Sequence, residues 1–399
     1  MPGWHKATQQ WVRDGRLVVL GITQEQHPDR CRLFAQWQKF AWPILHDPIN
    51  LLGARAVPIV VAIDEHGIVR STRPNAATFE RDFLNRKFAP PQSKPTTATK
   101  PRPADLRALR RAAKKLDTAE AWRRLGDALV IWKQNERIDE AIDAYGRAIK
   151  KAPNSGDALF RLGVCYRMRY ESPDHQPGDF QRAVDHWGRA LQTDPNQYIW
   201  RRRIQQYGPR LEKPYSFYDW VDRATKEITA RGETPIRLAV RPTGSEFARP
   251  ERKFSADRGE DKSPDADGRI NRDSGGLIET EVAVVPAHVR PGSTARVHVT
   301  FRPSERLEAK WNNESEPLRL WIDAPSGWQV DRRLLTAPRP KSAESQEVRR
   351  LDFEVKLPAD ARGEIKLKAY ALYYVCEGAG GTCLFLRRDV TISVKIATR

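Results

Sequence analysis

Ala369-Tyr-Ala-Leu-Tyr-Tyr-Val-Cys376, the six residues Glu377 to Thr382, and Cys383-Leu-Phe-Leu386 read as two apolar, aromatic-rich strands around a short gap. The gap holds Gly378, Gly380 and Gly381. Glycine tolerates the positive φ that tight turns demand, so the stretch predicts a β-hairpin. Such a hairpin sets Cys376 opposite Cys383. Facing Cβ atoms on paired strands lie about 4.5–5.5 Å apart and a disulfide needs about 3.5–4.5 Å, so a small adjustment permits a bond. Two readings follow. One is a stapling disulfide, or two thiols that never react; the other is a redox-active pair that exchanges electrons with a partner.

The residues upstream of the hairpin share its period-two pattern. Val297, Val299 and Phe301 fall on one face of a strand. So do Leu318, Leu320 and Ile322, then Leu351, Phe353, Val355 and Leu357, and after the hairpin Val390, Ile392, Val394 and Ile396. Turn signals such as Pro291-Gly292 and Ser326-Gly327 separate the runs, which predicts a C-terminal β-sandwich over 277–399. Trp311-Asn-Asn-Glu314 reads as a surface turn beside the sheet. Residues 233–276 read as a strand at Pro235–Val240 followed by a polar, charged, mobile linker. The end of this region, Tyr373-Tyr-Val-Cys376 to Cys383 and an alternating last strand, resembles the periplasmic N-terminal domain of DsbD. That resemblance implies an immunoglobulin-like module in which Cys376 and Cys383 form the catalytic pair and relay electrons to thioredoxin-like partners. The gap of six residues is close to the family's spacing without matching it. Leu384-Phe-Leu-Arg387 replaces the family's proline-containing segment.

The middle of the chain changes period. Trp122, Leu125, Gly126 and Leu129 lie at offsets 0, 3, 4 and 7, followed by Ala141, Tyr145, Ala148 and Pro153. A second copy reads Leu159, Leu162, Gly163 and Tyr166, then Ala183, Trp187, Ala190 and Pro195. These two units resemble the tetratricopeptide repeat, with small residues where paired helices touch and a closing proline. Residues 171–178 form a loop in this reading, and 104–116 and 197–230 supply capping helices, giving a helical region over 104–232. Cys165 falls at a packing position. The resemblance implies a peptide groove or a docking scaffold for protein partners.

At the other end, residues 4–14 read as a helix and Leu17–Ile22 as a buried strand. A helix opens at His27-Pro-Asp-Arg30 and carries Cys31; a short strand follows at 42–47. Arg55-Ala-Val-Pro58-Ile-Val precedes a hairpin turned at Asp64-Glu-His-Gly67, and a last helix covers 78–87. This alternation means an α/β domain over 1–88. It resembles the thioredoxin superfamily, in the redoxin branch of ResA and TlpA-type proteins. The resemblance implies that Pro58 is a cis-proline and that Val57 and Pro58 form a substrate-docking edge. It also exposes a departure: the first strand and the Cys-x-x-Cys motif are missing, and Cys31 stands alone, either a small semi-buried residue or a peroxidatic or resolving thiol. Without that strand, 17–22 and 57–63 expose apolar edges. Either Met1 is an internal methionine taken for a start, or the domain is truncated and kept only for binding. The linker 89–103 is rich in proline and extended.

At 399 residues the chain holds several domains. Its 69 basic and 51 acidic residues leave a formal net charge of +18, but the basic residues are dispersed and interleaved with acids. Arg107-Ala-Leu-Arg-Arg111 and Arg201-Arg-Arg203 sit in helical patterns with solvated faces, so a nucleic-acid partner is not expected. No apolar run of about 18 residues exists to span a membrane, and no cofactor or metal motif stands out. The leading expectation is a thiol–disulfide exchange protein of the cell envelope whose partners are thioredoxin-like or disulfide-bearing proteins. The alternative is a non-catalytic repeat scaffold that binds proteins. An extracytoplasmic site goes with a mis-assigned start, a cytoplasmic one with Met1 as the true start.

Overall fold

The structure, a computed structural model, describes residues 2–91, 103–211, 217–242, 246, 254, 262–378 and 381–398. Two compact units emerge. One comprises Met1–Ser172, Arg189–Arg202 and Tyr218–Pro242; the other comprises Pro173–Gly188, Arg203–Phe217 and Thr243–Arg399. The second unit thus groups residues 173–188 and 203–211 with the β-strands. Hydrogen bonds that leave no periodic trace join these segments to the strands. The Gly178 N–H donates to Glu281 (3.0 Å), the Val284 N–H to Gln181 Oε1 (2.8 Å) and the Arg210 N–H to Glu354 (2.9 Å).

In the first unit the order is α1 (Pro2–Arg13), β1 (Gly21–Thr23), α2 (Pro28–Gln38), β2 (Ile44–His46), β3 (Ala62–Ile63) and β4 (Val69–Ser71). β1 pairs parallel to β2, with Gly21 opposite Ile44, and β3 pairs antiparallel to β4. Among the described residues no ladder joins the two pairs. The strands are shorter than their apolar runs, and Leu17–Leu20 and Val57–Val61 stay outside the ladders. Val18 is 81% exposed there, and Leu20, Ile59 and Val61 are exposed too, as are Ile22 and Ile63 within β1 and β3. The helix expected over 78–87 shrinks to a single turn of π type at Glu80–Leu84.

Helices then follow: α3 (Leu106–Leu116), α4 (Ala119–Lys133), α5 (Ile138–Lys151), α6 (Gly156–Tyr170), α7 (Asp179–Thr193), α8 (Tyr198–Tyr207) and α9 (Trp220–Ala230). Asp105 caps α3 by accepting from the N–H groups of Arg107 and Ala108. Residues 171–178 form a connecting loop, as the spacing predicts. The strand expected at 235–240 does not form. Gln36 instead holds this stretch, donating to the Thr234 carbonyl (2.9 Å) and accepting from the Ile236 N–H (2.9 Å), while Arg30 donates to the Val240 carbonyl. Side-chain clamps have replaced a ladder. Trp37 stacks on Trp220 at 5.9 Å and donates to Glu227, fixing α2 against α9.

The second unit carries β5 (Ile278–Val285), β6 (Thr294–Pro303), β7 (Lys310–Asn312), β8 (Arg319–Asp323), β9 (Gln329–Val330), β10 (Leu334–Thr336), β11 (Glu344–Ser345), β12 (Arg349–Lys356), β13 (Glu364–Cys376) and β14 (Cys383–Lys395). They form two antiparallel sheets, ordered β5-β6-β12-β9 and β10-β8-β13-β7-β11 with β14 along the other edge of β13. One apolar cluster draws on both: Val297, Val299, Phe301 and Phe353 from the first, Leu320, Ile322, Ala371 and Tyr373 from the second. Each set is a period-two face turned to the same core. Two corrections belong here. Trp311 is fully buried in that core rather than at a surface turn; its indole donates to the Glu347 carbonyl and Arg349 covers its ring at 4.3 Å. The linker expected to be mobile is packed over 262–275, while most of 242–261 lies outside the described residues. Tyr370 Oη bonds with Ser263 (2.7 Å) and accepts from the Asp265 N–H (3.0 Å), Arg387 pairs with Asp265 (2.7 Å), and Asp273 accepts from the Leu277 and Ile278 N–H groups.

Candidate functional site

Helix packing at close range needs a small residue at the crossing, and the first repeat supplies one. α4 and α5 pack as a pair with Gly126 against Tyr145: a Cβ built on Gly126 would lie 2.8 Å from the tyrosine ring. Trp122, Leu125, Ala141 and Ala148 are buried around it, and the Trp122 indole donates to Asp117 (2.9 Å). Gly126→Val is therefore expected to overpack this seam and destabilise the protein by about 1–3 kcal/mol, read as a drop in thermal midpoint. An unchanged midpoint would dismiss the seam as a constraint.

The polar centre of the same pair had no signature in the spacing. Asp127 Oδ1 accepts from the Tyr145 hydroxyl (2.8 Å), Arg161 Nη1 reaches both Asp127 oxygens (2.9 Å each), and Arg123 donates to Oδ2 (2.9 Å). Arg161, on α6, is 3% exposed, and its Nε donates to the Ile49 carbonyl (3.2 Å) in the loop after β2. One carboxylate thus ties both helices of the first repeat to the first helix of the second, and through Arg161 to the N-terminal region. Charged helical residues default to a solvated face in a sequence reading. The one hint was Tyr145 at a core position, since a buried tyrosine hydroxyl needs a partner.

The cysteine hairpin forms as the opening stretch predicts. β13 and β14 pair over their whole length, with Cys376 opposite Cys383, and the two sulfurs are bonded with the Cα atoms 3.9 Å apart. Residues 379 and 380 of its gap lie outside the described residues. Alternation along β13 turns Tyr373 and Val375 into the core, so Cys376 shares the opposite face with Tyr374. Tyr374 stacks on Phe385 at 4.5 Å, two positions along the ladder from the disulfide. The two cysteines differ in exposure: Cys376 is 1% exposed, whereas Cys383 is an exposed residue. Lys310 of β7 registers with Cys376 and pairs with Glu344 (3.3 Å). Arg387 and Arg388, the cations nearest Cys383 in sequence, are engaged elsewhere. Arg387 binds Asp265 and Asp389, and Arg388 donates to the Asp273 carbonyl. They do not attend the sulfur.

The remaining site residues stand apart. The Val57–Pro58 bond is cis and Val57 is exposed, in the extended stretch before β3. Cys31 and Cys165 are free thiols. Burial pushes the Cys31 thiol up, against a bond with Thr23 that acts the other way, and burial pushes Cys165 far higher still. Cys165 is fully buried, as its spacing predicts, and Cys31 is only partly buried and forms no disulfide. No helix among the described residues is long and apolar enough to cross a membrane, and they contain no cluster of metal-ligating side chains.

Comparison with known proteins bears on the helices. Residues 133–198 match the tetratricopeptide repeat family, so the chain carries a tetratricopeptide repeat region there. The photosystem I assembly protein Ycf3 of Synechococcus sp. (strain CC9605) is 27% identical over 81 residues, 19% of this chain and 47% of that protein. The chain thus spans about half the length of the curated relative it matches. Among solved structures, AvmM, which catalyses macrocyclization in alchivemycin A biosynthesis, aligns at 12% identity and a TM-score of 0.21, covering 33% of this chain and 96% of that one. Spo0M, a sporulation control protein from Bacillus subtilis, aligns at 12% identity and a TM-score of 0.17, covering 31% and 51%. At such scores neither carries an argument about this chain.

Proposed function

We propose that this protein is a scaffold that binds other proteins through its tetratricopeptide repeats. The observation that carries the reading is the family match over residues 133–198, which takes in α5, α6 and α7. Repeat helices of this kind supply surfaces rather than chemistry. Trp132 on α4 and Leu116 on α3 are large apolar side chains left 46% and 61% exposed, and exposed tryptophan is over-represented among residues that dominate interfaces. The test is affinity capture by the whole purified protein beside its Trp132→Ala and Leu116→Ser variants. A partner should be retained by the parent and lost by the variants, with thermal midpoints unchanged. Identical capture by all three would overturn the assignment of this surface.

A second reading is favoured by the unequal burial of the two bonded cysteines. It takes the C-terminal sheets as a DsbD-like, immunoglobulin-like module and residues 1–88 as an incomplete thioredoxin-like domain with Val57 and Pro58 as its docking edge. A partner thiolate would attack exposed Cys383 Sγ, the S–S bond would break, and its electron pair would leave on buried Cys376. A second partner thiolate would then attack the partner's own sulfur in the mixed disulfide, releasing Cys383 as a thiol and the partner oxidised. Such chemistry suits an extracytoplasmic compartment, where disulfides persist. The two readings are compatible, since a scaffold can hold the partner whose disulfide is exchanged.

A further inference from the structure

Helix α1 carries a mostly polar stripe that runs from buried residues out to the surface. His5, Thr8, Gln9, Val12 and Arg13 recur at the i, i+3, i+4, i+7, i+8 spacing that in most helices carries the apolar face. Here four of the five are polar, and His5 and Thr8 are buried. Opposite them lie Lys39, which closes α2 at φ 51°, and then Ala41 and Trp42. Together these residues line a cleft of about 190 Å³. The Ala41 N–H reaches His5 Nε2 (3.4 Å), but the Trp42 indole N–H is buried with no acceptor. An orphaned buried donor costs free energy.

The cleft's charge is one-sided. Arg13 and Lys39 form no ion pair among the described residues, Arg13 bonding only to the neutral Gln10 amide (3.1 Å). No Asp or Glu lines the space. Val12, Ala41 and Trp42 supply its apolar lining beside the polar His5, Thr8 and Gln9, so the cations stand near an apolar patch. We propose that this cleft binds a small organic carboxylate, with the carboxylate held by Arg13 and Lys39 and a short apolar body against Val12, Ala41 and Trp42. A guanidinium and an ammonium make charge-assisted hydrogen bonds with such a group, and a cleft of about 190 Å³ has room for more than a single water. The inference is independent of the repeat scaffold and of the disulfide.

The test is a titration of the full chain with acetate, butyrate, hexanoate and inorganic phosphate. It follows the Trp42 indole N–H resonance, assigned by its loss in Trp42→Phe. Saturable shifts should appear and strengthen from acetate to the longer acids. Arg13→Gln with Lys39→Gln, both surface changes, should weaken binding at least about tenfold while circular dichroism and the thermal midpoint hold. Any of three results overturns the proposal: no saturable shift with any acid, undiminished binding to the double variant, or phosphate bound as tightly as the longest acid.

Discussion

Asp127→Ala is expected to destabilise the helical region by about 3–5 kcal/mol, the cost of leaving a buried charge without its partner. Arg161 is almost wholly enclosed and both of its Nη1 contacts go to Asp127, while the Tyr145 hydroxyl donates to the same carboxylate. Removing that carboxylate strands a cation and a hydroxyl together in the centre of the repeat. Asp127→Leu combined with Arg161→Met should recover most of the loss, because replacing both buried charges by apolar groups of similar volume is often neutral or favourable. Helical circular dichroism against temperature measures both variants. A single substitution that costs no more than a surface change would dismiss the network as a determinant of the fold. A double variant worse than the single would mean instead that the bond from Arg161 to the Ile49 carbonyl dominates.

What the sequence disclosed and what it withheld divide along physical lines. Gly126, Ala141 and Ala148 announced the helix pair because packing two helices closely demands small residues at fixed intervals, and intervals are visible in a string. The period-two runs announced β6, β8, β12 and β14 for the same reason, and Cys376 with Cys383 announced their own register. The Asp127–Arg161 bond and the Gln36 clamp on residues 234–236 left no such trace. Each is made by one polar side chain reaching a distant carboxylate or backbone, with no repeat to betray it. Residues 262–273 were misread for a related reason. Their composition is that of a mobile linker, yet one tyrosine hydroxyl and one guanidinium, Tyr370 and Arg387, are enough to hold Ser263 and Asp265 on the sheet. Trp311 was misread because two asparagines follow it. Asn313 is itself buried, satisfied by Ser342, Ser345 and Arg349.

Cys376→Ser, which leaves Cys383 as a free exposed thiol, is expected to form a mixed disulfide with glutathione disulfide at least about tenfold faster than Cys383→Ser, because exchange requires access to the attacking sulfur. In the second variant the remaining thiol is Cys376, which the sheet encloses. Mass spectrometry of timed, acid-quenched samples reads both rates. The parent protein adds a second arm: a thioredoxin-like dithiol should reduce its Cys376–Cys383 bond, releasing the dithiol as a disulfide and consuming one pair of electrons. Equal rates for the two serine variants would remove the argument from unequal burial. Failure of the parent bond to accept electrons from that donor would make it a staple. A staple carries its own expectation. The cysteines are separated by 7 positions in sequence, and closing a loop of that length constrains the unfolded chain by about 2–3 kcal/mol. The double serine variant should then melt lower by a corresponding amount with no exchange activity to lose. Redox use and stapling thus separate on a rate measured in the folded state, since both readings allow the stability change.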